Sequence, residues 1–270
     1  MDPVFLSIGK FSLRWYGVMA AAGFLAALII MQLNRRYAKL SADQTANIVI
    51  AAMLSGVIGS RIFYVIQNWN YYRNHIGQII RIDQGGLVFY GGFILAALVL
   101  IFYVKKICRA DAVRVLDITA PALAAAHALG RVGCFFNGCC YGKPAELFWA
   151  VTYPVNTPPY QHYAGAALHP VQLYEAALNL LLAPLFFLLV RKAKRGVAMS
   201  CYILSYGVLR FIDEFFRGDH TDFVRGFTPA QVIGFALIPL GVFLLVKFLR
   251  APQQEQAGSN INQAAETVEK

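Results

Sequence analysis

Long apolar runs alternate along the chain with short polar segments that are rich in lysine and arginine. An apolar run of about 20 residues forms a helix that is long enough to cross about 30 Å of hydrocarbon. Seven runs are predicted to cross a membrane in this way, namely residues 15–33, 45–66, 85–104, 116–130, 171–190, 197–211 and 229–249. The pattern predicts an all-α, polytopic integral membrane protein whose seven transmembrane helices form one domain over residues 1–250. The low hydrophobicity of residues 251–270 predicts a disordered tail.

The basic residues predict how the helices are oriented. Clusters of lysine and arginine follow the first, third and fifth predicted helices and end the seventh, whereas the opposite connections carry isolated basic residues. Because basic clusters remain on the cytoplasmic side of a membrane, we expect the N-terminus outside and the C-terminus, with its tail, in the cytoplasm. In this orientation the polar segments 131–142, 169–175 and 210–217 and the start of the third helix reach the outer face, where we expect them to converge.

Composition excludes most other classes of protein. The chain is 58% hydrophobic and 14% charged, with a mean hydropathy of +0.53, which is too apolar for a soluble fold. Its net charge of +10 lies in short clusters between apolar runs, which argues against a nucleic-acid partner. The five cysteines are too few and too unevenly spaced for a disulfide framework. No basic segment precedes the first apolar run, so we expect the first helix to direct insertion without a cleaved signal peptide.

The segment 127–142, HALGRVGCFFNGCCYG, combines features of a polar site at membrane depth. Residues 118–130 contain no lysine, arginine or carboxylate and lead directly into Arg131. Hydrocarbon does not solvate a guanidinium, so Arg131 is expected to face a cavity or a partner. The density of glycine predicts that the helix breaks here and that backbone amides approach a ligand closely. We expect an anion-accepting site; a helix end with a snorkelling arginine is the alternative interpretation.

Three arginines, Arg61, Arg131 and Arg210, lie within or at the ends of apolar runs. A planar guanidinium binds two phosphate oxygens at once, which suits a phospholipid head group. The alternative is that each arginine pairs with a carboxylate, as Arg210 would with Glu214 one helical turn later. Arg131 has no carboxylate nearby in the sequence. Glu175, inside the fifth predicted helix, requires a partner, which we expect to be an arginine.

One histidine and three cysteines complete the candidate chemistry. His169 precedes Pro170, which is well tolerated in the first turn of a helix, so His169 is predicted near an N-cap, as a base, a hydrogen-bond donor or a residue that orients the loop. Cys134, Cys139 and Cys140 have the spacing C-x4-C-C, which matches no standard zinc pattern. Buried thiols are the default interpretation. A disulfide from Cys134 to Cys139 or to Cys140 is the alternative.

Five sequence blocks, spread over nearly the whole chain, share their residues and their order with one enzyme family. The central block, GRVGCFFNGCCYG, matches the approximate family signature GR-x-G-N-F-x-N-x-E-x-x-G at Gly130, Arg131, Gly133, Phe135, Asn137 and Gly142. The other blocks are RWYGVM (14–19), GGLVFYGG (85–92), HPVQLYE (169–175) and YGVLRFIDEFFR (206–217). In these blocks the chain resembles the prolipoprotein diacylglyceryl transferases of bacterial inner membranes.

The resemblance implies a multi-pass enzyme of the bacterial inner (plasma) membrane whose active site faces the outer side. Such an enzyme moves the diacylglyceryl group of phosphatidylglycerol to the lipobox cysteine of an exported prolipoprotein, the first step of lipoprotein maturation, and glycerol phosphate leaves. We expect a monomer among membrane lipids, without a metal or an organic cofactor. The predicted catalytic residues are Arg131, Arg210, Tyr90, His169 and Tyr16. The predicted substrate-binding residues are Arg131, Asn137, Gly142, Arg61, Gln172, Glu214 and Arg217.

Three positions depart from the family pattern. Tyr90 stands where the family usually has histidine, Cys134 replaces an asparagine, and Cys139 replaces a glutamate. A phenol with a pKa of about 10 is a poor base, so retained activity requires another group, or the phosphate itself, to take the thiol proton. The alternatives are a paralogue that transfers a lipid group to another acceptor, a phospholipid-binding or transport protein without enzymatic activity, and transfer of the diacylglyceryl group to Cys134 or Cys139 itself.

Overall fold

Helices account for nearly all of the regular structure, because in hydrocarbon each backbone amide and carbonyl must be satisfied within its own segment. The computed structural model describes residues 3–9, 11–81, 85–219 and 227–252. A hairpin of two antiparallel strands, β1 (Val4–Ile8) and β2 (Phe11–Arg14), precedes the helices. The helices are α1 (Trp15–Asn34), α2 (Ala42–Gln67), α3 (Trp69–Tyr72), α4 (Phe89–Phe102), α5 (Ala112–Asn137), α6 (Pro158–Tyr163), α7 (Val171–Lys192), α8 (Val197–Phe216) and α9 (Pro229–Arg250).

Six helical segments in the described part of the chain are long and apolar enough to cross a membrane. They are Trp15–Ala38, Ala42–Gln67, Phe89–Cys108, Ala112–Asn137, Val171–Lys192 and Pro229–Arg250. These segments confirm a mainly helical, multi-pass architecture. The remaining predicted run corresponds to α8, whose last two turns carry Arg210, Asp213 and Glu214 and are therefore less apolar. The predicted tail lies, from residue 253 onward, outside the described residues.

Helix α5 lies between three other helices and packs against α1, α7 and α8. Its buried face consists largely of alanines, among them Ala120, Ala124 and Ala128, which are fully buried. Small side chains allow the backbones of neighbouring helices to approach closely. A Cβ atom added to Gly23 of α1, for example, would lie 3.2 Å from the carbonyl oxygen of Ala126. Polar residues near the end of α5 therefore project from a helix that is held on several sides.

The predicted break of this helix at its glycines is wrong. Helix α5 continues through Gly130 and Gly133 and ends just before Gly138. Gly133 serves packing instead, because a Cβ atom there would lie 3.1 Å from Cβ of Met19 on α1. Gly138 has a φ of +68°, the left-handed conformation that ends many helices. The third predicted helix also begins later than expected, at Phe89, because positive φ angles at positions 85 and 86 keep the preceding backbone out of the helix.

Backbone hydrogen bonds join the C-terminal ends of α5 and α8 to the N-terminal end of α7. The N–H of Lys143 donates to the carbonyl oxygen of Phe216 (2.8 Å), and the N–H of His169 donates to that of Lys143 (3.0 Å). The N–H of Gly218 donates to the carbonyl oxygen of Tyr141 (2.9 Å). These bonds confirm that the three polar segments predicted to meet do converge.

A buried carboxylate also joins the N-terminal ends of α5 and α8. Asp117, near the start of α5, is 1% exposed and accepts hydrogen bonds from the N–H groups of Gly196 (2.6 Å) and Met199 (3.1 Å). It thus caps the first turn of α8, where four N–H groups have no partner within the helix. Helix α8 therefore runs alongside α5 from one end to the other.

Candidate active site

A buried ion pair lies where α5 meets α7. The Nη2 atom of Arg131 is 2.7 Å from Oε2 of Glu175, whose side chain is 2% exposed. The prediction that Glu175 pairs with an arginine is thereby confirmed, and the carboxylate that Arg131 lacked nearby in the sequence is supplied by another helix. His127, one turn before Arg131 on α5, places its Nε2 atom 2.9 Å from Oε1 of Glu175.

The proton on His127 can be assigned from these distances. Its Nε2 atom is 2.9 Å from the Glu175 carboxylate and 3.3 Å from Nε of Arg131. One nitrogen cannot donate to the carboxylate and also accept from the guanidinium. The shorter contact, to an anion, is the stronger hydrogen bond, so Nε2 carries the proton and donates to Glu175. Sequence reasoning missed His127, although its i,i+4 spacing to Arg131 placed both side chains on one helix face.

A second group of charges lies near the end of α8. Arg210 is 3.2 Å from Asp213 and 3.2 Å from Glu214, so the pairing with Glu214 that was the alternative interpretation of Arg210 is present. Glu214 is also 3.7 Å from Arg217, whose Nη2 atom lies 2.8 Å from the Asp219 carboxylate. The side chains of Arg210, Asp213 and Glu214 on α8 are largely buried, at 13%, 8% and 3% exposed. Charged side chains at membrane depth are therefore paired with one another inside the bundle.

The guanidinium groups keep the capacity to bind a further anion. Each guanidinium has five N–H donors, more than one carboxylate contact uses. The side chains of Arg131, Arg210 and Arg217 remain 12–13% exposed, so part of each reaches the surface of the site. Carboxylates that hold a guanidinium in one orientation prepare its remaining donors for a phosphate. The arrangement is suited to an anionic head group.

A cavity of about 180 Å³ lies between α7 and α8 beside these charges. Glu175 and Asp213 form part of its wall, and the rest of the wall is mostly apolar and includes Leu178, Leu209 and Ile212. Leu178 and Ile212 are 43% and 50% exposed, so the apolar wall continues onto the outer surface of the bundle. A polar end and an apolar side opening suit an amphipathic lipid.

The other predicted catalytic residues occupy three different settings. Tyr16, in the first turn of α1, lies within electrostatic reach of Arg131. Tyr90, in the first turn of α4, is 54% exposed. His169 lies just before the N-cap of α7, as predicted, and its Nδ1 atom is 3.2 Å from the hydroxyl of Tyr174. The helix begins at Val171, as expected, with Pro170 as its N-cap rather than as part of the first turn.

Gln172 is fully buried and connects α7 to the turn that follows α5. Its Nε2 atom donates to the carbonyl oxygen of Cys139 (2.7 Å) and to the hydroxyl of Tyr153 (3.0 Å). Burial raises the pKa of Tyr153 to about 12, which keeps the hydroxyl neutral. Gly142 lies where a Cβ atom would be 2.4 Å from the carbonyl oxygen of His169. The predicted substrate-binding residues Gln172 and Gly142 thus hold the backbone of the site together.

Two further predicted substrate-binding residues, Arg61 and Asn137, lie in different parts of the structure. Arg61 is 8% exposed and donates to the carbonyl oxygens of Ile79 (2.8 Å), Gln78 (2.8 Å), Gly85 (2.9 Å) and Gly86 (3.0 Å). Among the described residues its hydrogen-bond partners are therefore carbonyl groups of the loop before α4, and not the carboxylate of the alternative interpretation. Its predicted role in substrate binding stays a prediction. Asn137, the last residue of α5, lies within hydrogen-bonding reach of the Cys139 thiol.

Three thiols meet beside Arg131. The Sγ atoms of Cys134, Cys139 and Cys140 all lie within 4.8 Å of one another. All five cysteines of the chain fall in the described part and are free, so neither predicted alternative disulfide is present. The spacing C-x4-C-C did not predict that all three thiols would meet at one point.

Comparison with known proteins identifies the family. A family model described as prolipoprotein diacylglyceryl transferase, a transferase family, matches residues 3–247. Relatives named phosphatidylglycerol–prolipoprotein diacylglyceryl transferase include one from Finegoldia magna, which is 33% identical over 92% of this chain and 96% of its own length. Others come from Clostridium tetani (35% identical; 90% and 96% covered) and Geobacter sulfurreducens (32% identical; 91% and 95% covered). The chain belongs to the prolipoprotein diacylglyceryl transferase family.

Proposed function

We propose that the protein transfers the diacylglyceryl group of phosphatidylglycerol to the lipobox cysteine of exported prolipoproteins, at the outer face of the bacterial inner membrane. Membership of the family and the names of the relatives support this donor and this acceptor. The observation that carries the proposal furthest is the buried Arg131–Glu175 pair with Arg210 on the neighbouring helix. Fixed positive charge in a cavity of low polarity is what a departing phosphate requires.

The reaction joins the acceptor sulfur to the glyceryl carbon that carries the phosphate. The thiolate, which is the reactive form of cysteine, donates an electron pair to that carbon. The bond from carbon to the phosphoester oxygen breaks, its electron pair goes to the oxygen, and glycerol phosphate leaves. The thiol proton ends on the released phosphate, so the reaction balances without an oxidant or a reductant.

Arg131 and Arg210 bind the phosphate oxygens in this proposal. Negative charge on these oxygens increases as the carbon–oxygen bond breaks, so donors that are already oriented lower the barrier. Glu175 orients Arg131 from 2.7 Å, and Glu214 orients Arg210 from 3.2 Å. Arg217, 3.7 Å from Glu214, extends the same group toward the mouth of the site.

We assign the movement of the thiol proton to His127 rather than to Tyr90. A phenol is a poor base near neutral pH, whereas an imidazole oriented by a carboxylate is a common one. His127 is oriented in this way by Glu175. Tyr16 and His169, the other two predicted catalytic residues, are proposed to position the substrates.

The cavity between α7 and α8 is proposed to admit the acyl chains. Its apolar wall continues onto the exposed side chains of Leu178 and Ile212, which face the surroundings of the bundle. A lipid entering there brings its phosphate toward Glu175 and the paired arginines. The substrate then reaches the site from within the membrane rather than from water.

We further propose that α8 crosses the membrane as a seventh span, with the N-terminus outside. The basic clusters in the sequence support the orientation, and two contacts support the spanning position of α8. The start of α8, at Gly196, is bonded to Asp117 near the start of α5, and its end, at Phe216, is bonded to Lys143 just after α5. Because α5 is long enough to span the bilayer, a helix bonded at both of its ends covers the same depth.

The proposal is tested with purified protein in detergent, phosphatidylglycerol and a lipobox peptide, using mass spectrometry to detect the thioether. Arg131→Ala and a peptide with serine in place of cysteine are the controls. We expect product only with the wild-type protein and the cysteine peptide. Phosphatidylglycerol binding without any thioether would instead favour a lipid-binding protein.

A further inference from the structure

The three thiols beside Arg131 are brought together by the way α5 ends. The N–H of Cys139 donates to the carbonyl oxygen of Cys134 (3.2 Å), and the N–H of Gly138 donates to that of Phe135 (3.3 Å). This pair of bonds, with Gly138 at a φ of +68°, is a Schellman motif. In this motif the residues at the positions of Cys134 and Cys139 commonly contact each other across the turn.

The third thiol requires an uncommon backbone conformation. Cys140 has a φ of +58°, in the left-handed region that residues with a side chain seldom adopt. Strained backbone of this kind persists where the surroundings enforce it and is concentrated at functional sites. Here the fully buried Gln172 fixes the turn by donating to the carbonyl oxygen of Cys139 (2.7 Å), and the buried Tyr153 fixes Gln172. A simple helix end would not need this support.

Contrary to the metal-free enzyme that the family resemblance implies, we propose that Cys134, Cys139 and Cys140 together bind one thiophilic divalent cation of the zinc type and leave its fourth coordination position open. In a tetrahedral site with metal–sulfur bonds of about 2.3 Å, neighbouring sulfurs are about 3.8 Å apart. The three Sγ atoms, all within 4.8 Å of one another, reach this separation through shifts of about 1 Å or less. A single disulfide would use two of the thiols and would not account for the third.

Two guanidinium groups lie close enough to affect the charge of such a site. Three thiolates and a divalent cation carry a net charge of −1, which is costly at membrane depth without compensation. Arg131 and Arg217, which are also paired with Glu175 and Asp219, both lie within electrostatic reach of Cys140 and offset part of that charge. Three protein ligands with an open position is the arrangement of catalytic rather than structural zinc.

The open position gives the cation a role that rests on the proposed function. A thiol that coordinates a zinc ion is deprotonated outright, so an acceptor cysteine bound there becomes a thiolate and its proton passes to His127. The bound sulfur then donates an electron pair to the glyceryl carbon as the carbon–oxygen bond breaks toward phosphate. The neutral thioether is a weaker ligand than the thiolate and leaves. The cluster thereby supplies the thiol activation that Tyr90 is poorly suited to provide.

Cobalt(II) is the probe for the metal site, because its thiolate complexes absorb strongly and its tetrahedral form absorbs in the visible region. We expect reduced, full-length protein in detergent to bind one cobalt ion per chain with both absorptions, and zinc to displace it. Single substitutions Cys134→Ser, Cys139→Ser and Cys140→Ser should weaken binding at least tenfold. Cys108→Ser and Cys201→Ser, at free cysteines outside the cluster, are the matched controls and should bind as wild type. Absence of the absorptions in wild type, or their persistence in all three cluster variants, would overturn the site.

The role of the metal is tested separately from the transfer reaction. The lipobox peptide should shift the cobalt spectrum while its serine counterpart should not, and chelation should stop transfer until zinc is restored. Transfer that proceeds unchanged in metal-free protein would overturn the inference and leave the proposed function intact. Cobalt bound by the cluster, without thioether product from any preparation, would overturn the proposed function and leave the metal site intact.

Discussion

Replacement of Glu175 by glutamine is expected to destabilise the protein strongly. The substitution keeps the size of the side chain but leaves the Arg131 guanidinium, 2.7 Å away, without its anionic partner in a nearly water-free setting. Two unit charges about 4 Å apart attract by about 4 kcal/mol at the effective dielectric constant of partly buried sites. Removal of one member of a buried ion pair costs about 3–5 kcal/mol in measured cases. We expect a loss in that range.

The assay is unfolding of the purified protein by SDS in mixed micelles, for wild type, Glu175→Gln, Arg131→Met and the double variant. Removal of both charges leaves no unpaired ion, so the double variant should be more stable than the sum of the single losses predicts, by about 1–3 kcal/mol. Glu146→Gln, at an exposed carboxylate, is the matched control and should change stability by less than about 0.5 kcal/mol. Losses at positions 131 and 175 that add within about 0.5 kcal/mol would refute the reasoning. Transfer should stay absent in the double variant, because Arg131 is also proposed to bind the phosphate.

Three further predictions follow from the geometry. Asp117→Ala should destabilise the protein by about 1–3 kcal/mol in the same unfolding assay, because two buried N–H groups lose a charged acceptor; an unchanged midpoint would contradict its capping role. Gly142→Ala should reduce transfer and destabilise the protein, because its Cβ atom would lie 2.4 Å from a carbonyl oxygen, whereas Gly17→Ala, with nothing within 4 Å, should be tolerated; equal effects of the two changes would count against the packing argument. In the mass-spectrometric assay, His127→Gln should slow transfer by about 10²–10⁴ and Tyr90→Phe by less than tenfold; the reverse order would place the base at Tyr90.

The helices and the need for ion pairing were predictable because both follow from the cost of polar groups in hydrocarbon. Glu175 had to have a partner wherever it lay, and the sequence therefore predicted a pairing with an arginine. It did not predict which arginine, because Arg131 reaches it from another helix and their contact depends on how α5 packs against α7. Whether α8 spans the membrane is harder to predict from the sequence, because Arg210 and its carboxylate partners interrupt the apolar pattern although they are buried inside the bundle.

The errors arise where one residue type serves two purposes. The density of glycine after His127 predicts a broken helix, yet Gly133 permits close packing against α1 and only Gly138 ends the helix. The thiol cluster depends on the turn at Gly138 and on a positive φ angle at Cys140, and standard zinc spacings do not describe that backbone. The sequence signal for the cluster is Gly138, just before Cys139. A glycine there predicts a Schellman motif, which places Cys139 in contact with Cys134.

The proposed transfer breaks the bond from carbon to the phosphoester oxygen, and this bond can be identified directly. The measurement is the reaction of wild-type protein with phosphatidylglycerol and the lipobox peptide in water enriched in oxygen-18, with mass spectrometry of both products. We predict one thioether-linked peptide for each glycerol phosphate released, and no oxygen-18 in that phosphate. Glycerol phosphate that carries the label, or that is released without a matching thioether, would contradict diacylglyceryl transfer to the thiol.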